Sequence, residues 1–375
     1  MLQAALGQLD RLARRWPLGF PSGYSRHGRY TQTANCGWTP GFWIGQLWLA
    51  YQHTGDAVWR GRAEALLPSF AARLEAGGAG IASHDLGFLY SLSCVAAVRC
   101  TGSAYARQWA WRAADALAAR THPGAGTVQA WGDLDDATER GRILIDSAMN
   151  MPLLCWAAHS RGAPGLHELA MRHWTQCARH LVRADGFTHH SAFIDPDTGA
   201  CRSTQTLQGW SDHSCWARGQ AWGLYGFTLA YRHSGHADFL VLARRLAHTF
   251  LQRLPADGVC AWDLDLDPAQ GHAQDSSACA VAAAGLLALA AQLPAQDADA
   301  GPFLRSGQRL LHALGTRFRC RSPQDDGLLR NAVAHHPLGQ GIGESCLWGD
   351  YFYLEALLLQ RQGGPVASFW GGDVA

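Results

Sequence analysis

Ala230-Tyr231-Arg232-His233-Ser234-Gly235-His236 closes an apolar segment and opens an amphipathic one, and the chain carries three echoes of it. They are Ala50-Tyr51-Gln52-His53-Thr54-Gly55-Asp56, Ala97-Val98-Arg99-Cys100-Thr101-Gly102-Ser103 and Ala158-His159-Ser160-Arg161-Gly162. Each reads as a helix stopped by glycine, which enters the left-handed conformation without a Cβ clash, followed at once by a second helix. Helical hairpins repeated in this way either stack or close into a ring.

Working outward from these turns, hydrophobic periodicity predicts about twelve helices. They run roughly over 1–15, 42–53, 59–75, 86–99, 103–120, 146–159, 165–182, 213–233, 237–253, 275–291, 302–316 and 345–361. The even-numbered members are apolar all round; Ser276 to Ala291 is nearly all Ala, Leu and Val. The odd-numbered ones carry arginines at helical spacing, as at Arg107, Arg112 and Arg120. Helices apolar on every side must be buried, whereas amphipathic ones can face water. Six inner and six outer helices in alternation point to an all-α fold, an (α/α)6 barrel. An open α-solenoid is the alternative, disfavoured by long uneven loops and polar aromatics. Those loops, 16–41, 76–85, 121–145, 183–212, 254–274 and 319–344, precede the inner helices and would gather at one end. No linker or low-complexity segment interrupts the chain, so residues 1–375 are expected to form a single domain.

Composition narrows the function. Hydrophobic residues make up 48% and charged ones 16%, the balance of a protein with a large core. A net charge of +1 offers no electrostatic reason to expect nucleic acid or an anionic membrane as partner. All 31 basic residues are arginine. The absence of lysine removes the usual P-loop and pyridoxal-phosphate chemistries. The eleven cysteines include no Cys-x-x-Cys pair and several lie in apolar helical contexts, which suits reduced thiols in a cytoplasmic protein and no metal site. Met1 to Arg15 reads as an amphipathic helix and not a signal peptide, and no run of about eighteen apolar residues could span a membrane. Monomer and homodimer are equally compatible with the chain.

The stretch Gly209 to Leu224 sets three tryptophans among an arginine, a glutamine, an aspartate and serines. Flat apolar surfaces beside directional polar groups suit a sugar, whose C–H faces stack on rings and whose hydroxyls take hydrogen bonds. Two acids stand at predicted helix starts: Asp85 in His84-Asp85-Leu86-Gly87-Phe88 and Asp146 in Ile145-Asp146-Ser147-Ala148. Capping is the ordinary role of an aspartate there, worth about 1 kcal/mol, and it applies equally to Asp212 and Asp275. Asp146, however, lies at the edge of an apolar environment. Desolvation together with a second carboxylate would raise its pKa and make it a proton donor at neutral pH.

In order and spacing the motifs resemble the unsaturated glucuronyl hydrolases of glycoside hydrolase family 88. The resemblance runs through Trp38-Thr39-Pro40-Gly41-Phe42-Trp43, His84 to Phe88, Gln129-Ala130-Trp131-Gly132, Ile145-Asp146 and Met149 to Leu154. It continues through Asp185-Gly186 to His190, Gln208-Gly209, Trp216-Ala217-Arg218-Gly219-Gln220-Ala221-Trp222 and Trp348-Gly349-Asp350-Tyr351. It implies the (α/α)6 barrel and, as substrates, lyase-made oligosaccharides ending in a uronate with a C4=C5 double bond. It implies hydration of that bond without metal or cofactor. It casts Asp146 as the general acid/base and Asp85 as its partner carboxylate. His190, Gln208, Trp216 and Arg218 would bind the unsaturated ring, and Trp38 and Trp131 would be aromatic walls. The chain departs from the family pattern at His213, where an acid is common, and at Trp210, where a tyrosine is common. In the segment 335–341, where members meet the leaving sugar, it has no lysine for sulfate. The alternatives are an unsaturated rhamnogalacturonyl hydrolase, a sugar epimerase using paired histidines, or a sugar-binding barrel without activity.

Overall fold

The computed structural model describes residues 1–362 and 369–371. Twelve helices follow one another among the described residues: α1 (Leu2–Arg15), α2 (Pro40–Thr54), α3 (Ala57–Ala76), α4 (86–101), α5 (Ala104–Ala118) and α6 (Pro152–Arg161), then α7 (Pro164–Leu181), α8 (Ala217–Ser234), α9 (Ala237–Gln252), α10 (Ser276–Gln292), α11 (300–318) and α12 (Leu347–Gln362). The even-numbered helices are the inner ones. All but the last few residues of α2, α8 and α10 are buried, while α1, α7 and α11 bury one stripe each. Successive inner helices pack side by side, and α12 returns against α2, closing the ring. The fold is an α/α barrel.

The four repeated turns explain the alternation. Gly55, Gly102, Gly162 and Gly235 all take positive φ near 70° and cap their helices with a backbone N–H to the carbonyl four residues back. That conformation reverses the chain from an inner helix into an outer one. Inner helices approach closely where a side chain is missing: a Cβ on Gly285 of α10 would come within 2.3 Å of Leu224 on α8. Along the ring axis the interior is filled by rings. Trp222 meets both Phe88 and Phe352, and Trp370 of the C-terminal segment lies parallel to Phe352 at 6.0 Å.

Several boundaries differ from those the periodicity predicts. The segment 146–159 is not one helix but a 3-10 turn (Ile145–Met149) followed by α6, which restarts at Pro152 because proline suits only the first helical turn. The helix expected from residue 213 begins at Ala217, and α4 contains a π-helical stretch, Ser91–Val95. The long loops also carry short strands that periodicity misses. Arg142–Leu144, Ser191–Ile194 and Cys201–Gln205 form a three-stranded antiparallel sheet, and Ala332–His335 pairs with Gln340–Glu344. Two of these pairings are short hairpins within one loop, and only that of Arg142–Leu144 with Ser191–Ile194 joins loops distant in sequence, which no local pattern announces. Among the described residues no helix is long and apolar enough to cross a membrane. All eleven thiols are unpaired, including Cys260 and Cys279, whose Sγ atoms lie 3.5 Å apart.

Candidate active site

A cavity of about 360 Å³ opens among the loops at the N-terminal ends of the inner helices. It collects seven of the eight residues named from sequence: Trp38, Asp85, Trp131, Asp146, Gln208, Trp216 and Arg218. The eighth, His190, is buried beside it with Nε2 3.8 Å from Asp146 Oδ2 and its ring 4.6 Å from that of Trp216. A wider groove of about 650 Å³ lies between α11 and the loop after α9. Its lining carboxylate, Asp257, is paired with Arg317, so it holds no free acid.

Neither Asp85 nor Asp146 caps a helix: Asp85 stands at the N-cap of α4 without a capping bond, and Asp146 lies one residue inside the turn that Leu144 precedes. Asp85 precedes α4 and accepts a hydrogen bond from Ser83 Oγ at 2.6 Å. Asp146 sits in the 3-10 turn behind the strand Arg142–Leu144, and its side chain is 15% exposed. Its Oδ2 is buried with no hydrogen-bond partner. Burial, with the neighbouring Asp85 charge second, pushes Asp146 up to about 7. Burial likewise raises Asp85 to about 6, opposed by the Ser83 bond. The two other aspartates considered as caps behave differently. Asp275 does cap α10 through the Ser277 N–H, while Asp212 accepts from Thr206 N–H and caps no helix.

The histidines here are neutral. Burial, then Arg218, holds His190 down to about 3, and burial holds His84 down to about 3. Both ring nitrogens of His190 lack partners, so the imidazole can offer one donor and one acceptor to a ligand or water.

Arg218 is more constrained than a free carboxylate receptor. It is about 1% exposed, its guanidinium stacks 4.5 Å over Trp216 and 5.1 Å from Trp348, and its four terminal N–H groups are all engaged. Nη1 donates to Asp275 Oδ2 and Val333 O; Nη2 donates to Gln208 Oε1 and Ala334 O. Only Nε–H is left without a partner. The carbonyl of Gln208 is thereby occupied, so its amide NH2 is the end available to a ligand. Trp131 carries Arg142 at 5.3 Å from its ring, and Trp38 packs 4.8 Å from Trp348.

Sequence reasoning missed the struts. Asn150 Oδ1 accepts the Phe88 N–H at 2.7 Å, while its Nδ2 donates to the Asp146 carbonyl at 3.2 Å. One buried amide therefore links the helix start that follows Asp85 to the turn that carries Asp146. Gly87 makes the approach possible, because a Cβ there would stand 2.4 Å from Asn150 Cα. A second strut supports the same turn. Val128 N–H donates to His173 Nδ1, which leaves the proton on Nε2 to donate to Ser147 Oγ at 2.7 Å; Ser147 Oγ in turn donates to Leu144 O. Asn150 was visible only as one letter of a motif, and His173 carried no signal at all. Tyr24, His84, His335, Gln340 and Trp348 are among the other residues that line the cavity.

No protein-family model matches the chain. Individual relatives do. An unsaturated glucuronyl hydrolase of Bacillus sp. (strain GL1) is 39% identical over 367 residues, covering 98% of this chain and 97% of that protein. An unsaturated chondroitin disaccharide hydrolase of Streptococcus pyogenes serotype M1 is 37% identical over 341 residues, 90% of this chain and 85% of that one. The crystal structure of the unsaturated glucuronyl hydrolase from Bacillus sp. GL1, described as responsible for the degradation of glycosaminoglycan, superposes with a TM-score of 0.96 at 38% identity, covering all of both chains. With more than a third of its residues shared over nearly its whole length, this chain belongs to the unsaturated glucuronyl hydrolase family.

Proposed function

We propose that this protein releases the 4,5-unsaturated uronate from the non-reducing end of lyase-generated oligosaccharides, by hydrating its C4=C5 bond. The observation that carries the reading is an acid kept protonated near neutral pH, with a free oxygen, in a cavity walled by tryptophans. A carboxyl poised near 7 can both give and recover a proton at neutral pH.

In this reading the protonated Asp146 delivers its proton to C4, and positive charge develops over C5 and the ring oxygen. Water adds to C5 and gives its proton to the Asp146 carboxylate, which restores the acid. The C5 hemiketal then opens by breaking the bond from C5 to the ring oxygen, leaving a ketone at C5 and a hemiacetal at C1. That hemiacetal collapses to an aldehyde and expels the neighbouring sugar as an alcohol. One water is consumed and the enzyme is unchanged.

The other residues have parts that follow from their bonding. Asp85 supplies the negative charge that, after burial, helps keep Asp146 protonated. His190, neutral and with both nitrogens free, is suited to orient the attacking water beside Asp146. Arg218 fixes Gln208 and offers Nε–H and positive charge to the substrate carboxylate, while the Gln208 amide donates to the sugar. Trp38, Trp131 and Trp216 supply stacking surfaces. Eleven unpaired thiols support a cytoplasmic site of action.

The test follows the near-ultraviolet absorbance of the C4=C5–carboxylate chromophore with a panel of unsaturated disaccharides. Loss of absorbance with wild type and not with Asp146→Asn is the expected result. Loss only with a pectin-derived disaccharide would move the chain to the rhamnogalacturonyl reaction, and no loss with any substrate would overturn hydration.

A further inference from the structure

The cavity does not end at its rim. Two wall segments run on outside it and carry aromatic rings. Gln208 lines the cavity, and two residues later Trp210 holds an indole that is 62% exposed. On the other wall His335 lines the cavity, and the next residue, His336, lies flat on Trp262 at 3.9 Å with 3° between the planes. His272 sits between the two, 6.4 Å from the Trp210 ring and close enough to His336 to affect its charge.

An exposed tryptophan is ordinarily on a loose loop or in the core of an interface. This one is neither loose nor packed. Its backbone N–H donates to Asp263 Oδ2 at 2.9 Å, and the same carboxylate oxygen accepts Ser214 Oγ at 2.7 Å. Gly209, just before it, leaves room for that clamp: a Cβ there would lie 2.3 Å from Thr206 Cγ2 and 2.8 Å from Asp263 Oδ2. The backbone is thus pinned while the apolar ring faces water. Burial, and then His272, keep His336 below its ordinary pKa, so near pH 7 the stack presents a neutral ring.

We propose that Trp210, with His272 and the His336–Trp262 stack, forms a second sugar-binding surface outside the cavity, occupied by the reducing-side residues of substrates longer than a disaccharide. The inference rests on the proposed function, because the cavity must hold the unsaturated end for the chain to emerge at this rim. Sugar C–H faces pack on such rings, and a preset ring costs little ordering entropy on binding. Oligosaccharides that reach the shelf gain contacts a disaccharide cannot make.

The experiment compares wild type with Trp210→Ala on an unsaturated disaccharide and an unsaturated tetrasaccharide cut by a lyase from the same unsulfated glycosaminoglycan. The exposed indole makes few packing contacts, so the variant folds. The expected result is a fall in kcat/KM for the tetrasaccharide of about tenfold, with the disaccharide value unchanged. An equal change on both substrates, or none on either, overturns the proposal. If wild type turns over neither substrate, the function reading fails on its own. Tetrasaccharide titration by calorimetry then still decides the shelf: equal Kd for wild type and Trp210→Ala overturns it.

Discussion

Two aspartates inside the ring are raised alike and bonded differently. Burial pushes both Asp146 and Asp350 up to about 7. Asp350 is fully provided for: Oδ1 accepts the Leu328 and Leu329 N–H groups, and Oδ2 accepts the Tyr30 hydroxyl. It ties the long loop before α12 and the loop after α1 to the barrel. Asp146 has one oxygen with no partner, and that residue borders the cavity. A raised pKa therefore marks burial, not chemistry. What separates an acid that works from one that fastens loops is an oxygen left free to reach a substrate.

The sharpest way to break this contrast is to remove each acid. Asp146→Asn is expected to lower kcat by about 10³-fold, in the range typical of a lost general acid, with the fold retained. Asp350→Ala should do the reverse, orphaning three buried donors at a cost of about 2–4 kcal/mol while kcat per folded molecule stays near wild type. Urea unfolding and initial rates on the two variants check this, and exchanged phenotypes would reverse the assignment.

A smaller effect sharpens the role of Asp85. With its charge removed in Asp85→Asn, Asp146 loses one of the two causes that raise it. The protonated form of Asp146 is lost as pH rises through about 7 in the wild type, so activity is expected to fall there. In Asp85→Asn that alkaline limb should move to lower pH, with kcat down by about tenfold to a hundredfold. A pH–rate profile with an unmoved limb would show that Asp85 acts only on the substrate.

Asn150→Ala tests the strut. It orphans the Phe88 N–H and should cost about 1–3 kcal/mol. With the carboxyls less firmly juxtaposed, the alkaline limb should shift in the same direction as for Asp85→Asn, but less. A loss of stability with an unchanged pH profile would make Asn150 a packing residue alone.

The smallest effect is on stability. A carboxyl whose folded pKa is raised contributes fully below its unfolded value, 3.8, and loses that contribution as pH rises through about 7. Asp146→Asn removes this penalty. Its Tm should exceed wild type by about 3 °C at pH 8, and the difference should fade toward pH 4. A gain independent of pH would point to packing and not to charge.

Much of the site was legible because family motifs keep residue type and spacing together. The same letters said little about bonding. Arg218 was expected to bind the unsaturated ring, yet its terminal N–H groups are held by Asp275, Gln208 and two carbonyls of the strand Ala332–His335. That strand lies more than a hundred residues away, and its pairing with Gln340–Glu344 leaves no periodic trace. Likewise Asp85, Asp146 and Asp275 looked alike as helix-start acids, and only Asp275 proved to cap.

By itself, then, the sequence determined the alternation of buried and amphipathic helices, because side-chain hydrophobicity at helical spacing and glycine at positive φ are local properties. It also determined which residue types the loops bring to the cavity. Only the tertiary structure decided which acid holds its proton, which arginine groups are already engaged and which tryptophan stays in water. Those depend on desolvation and on partners supplied by distant segments, and neither is encoded within any one stretch of chain.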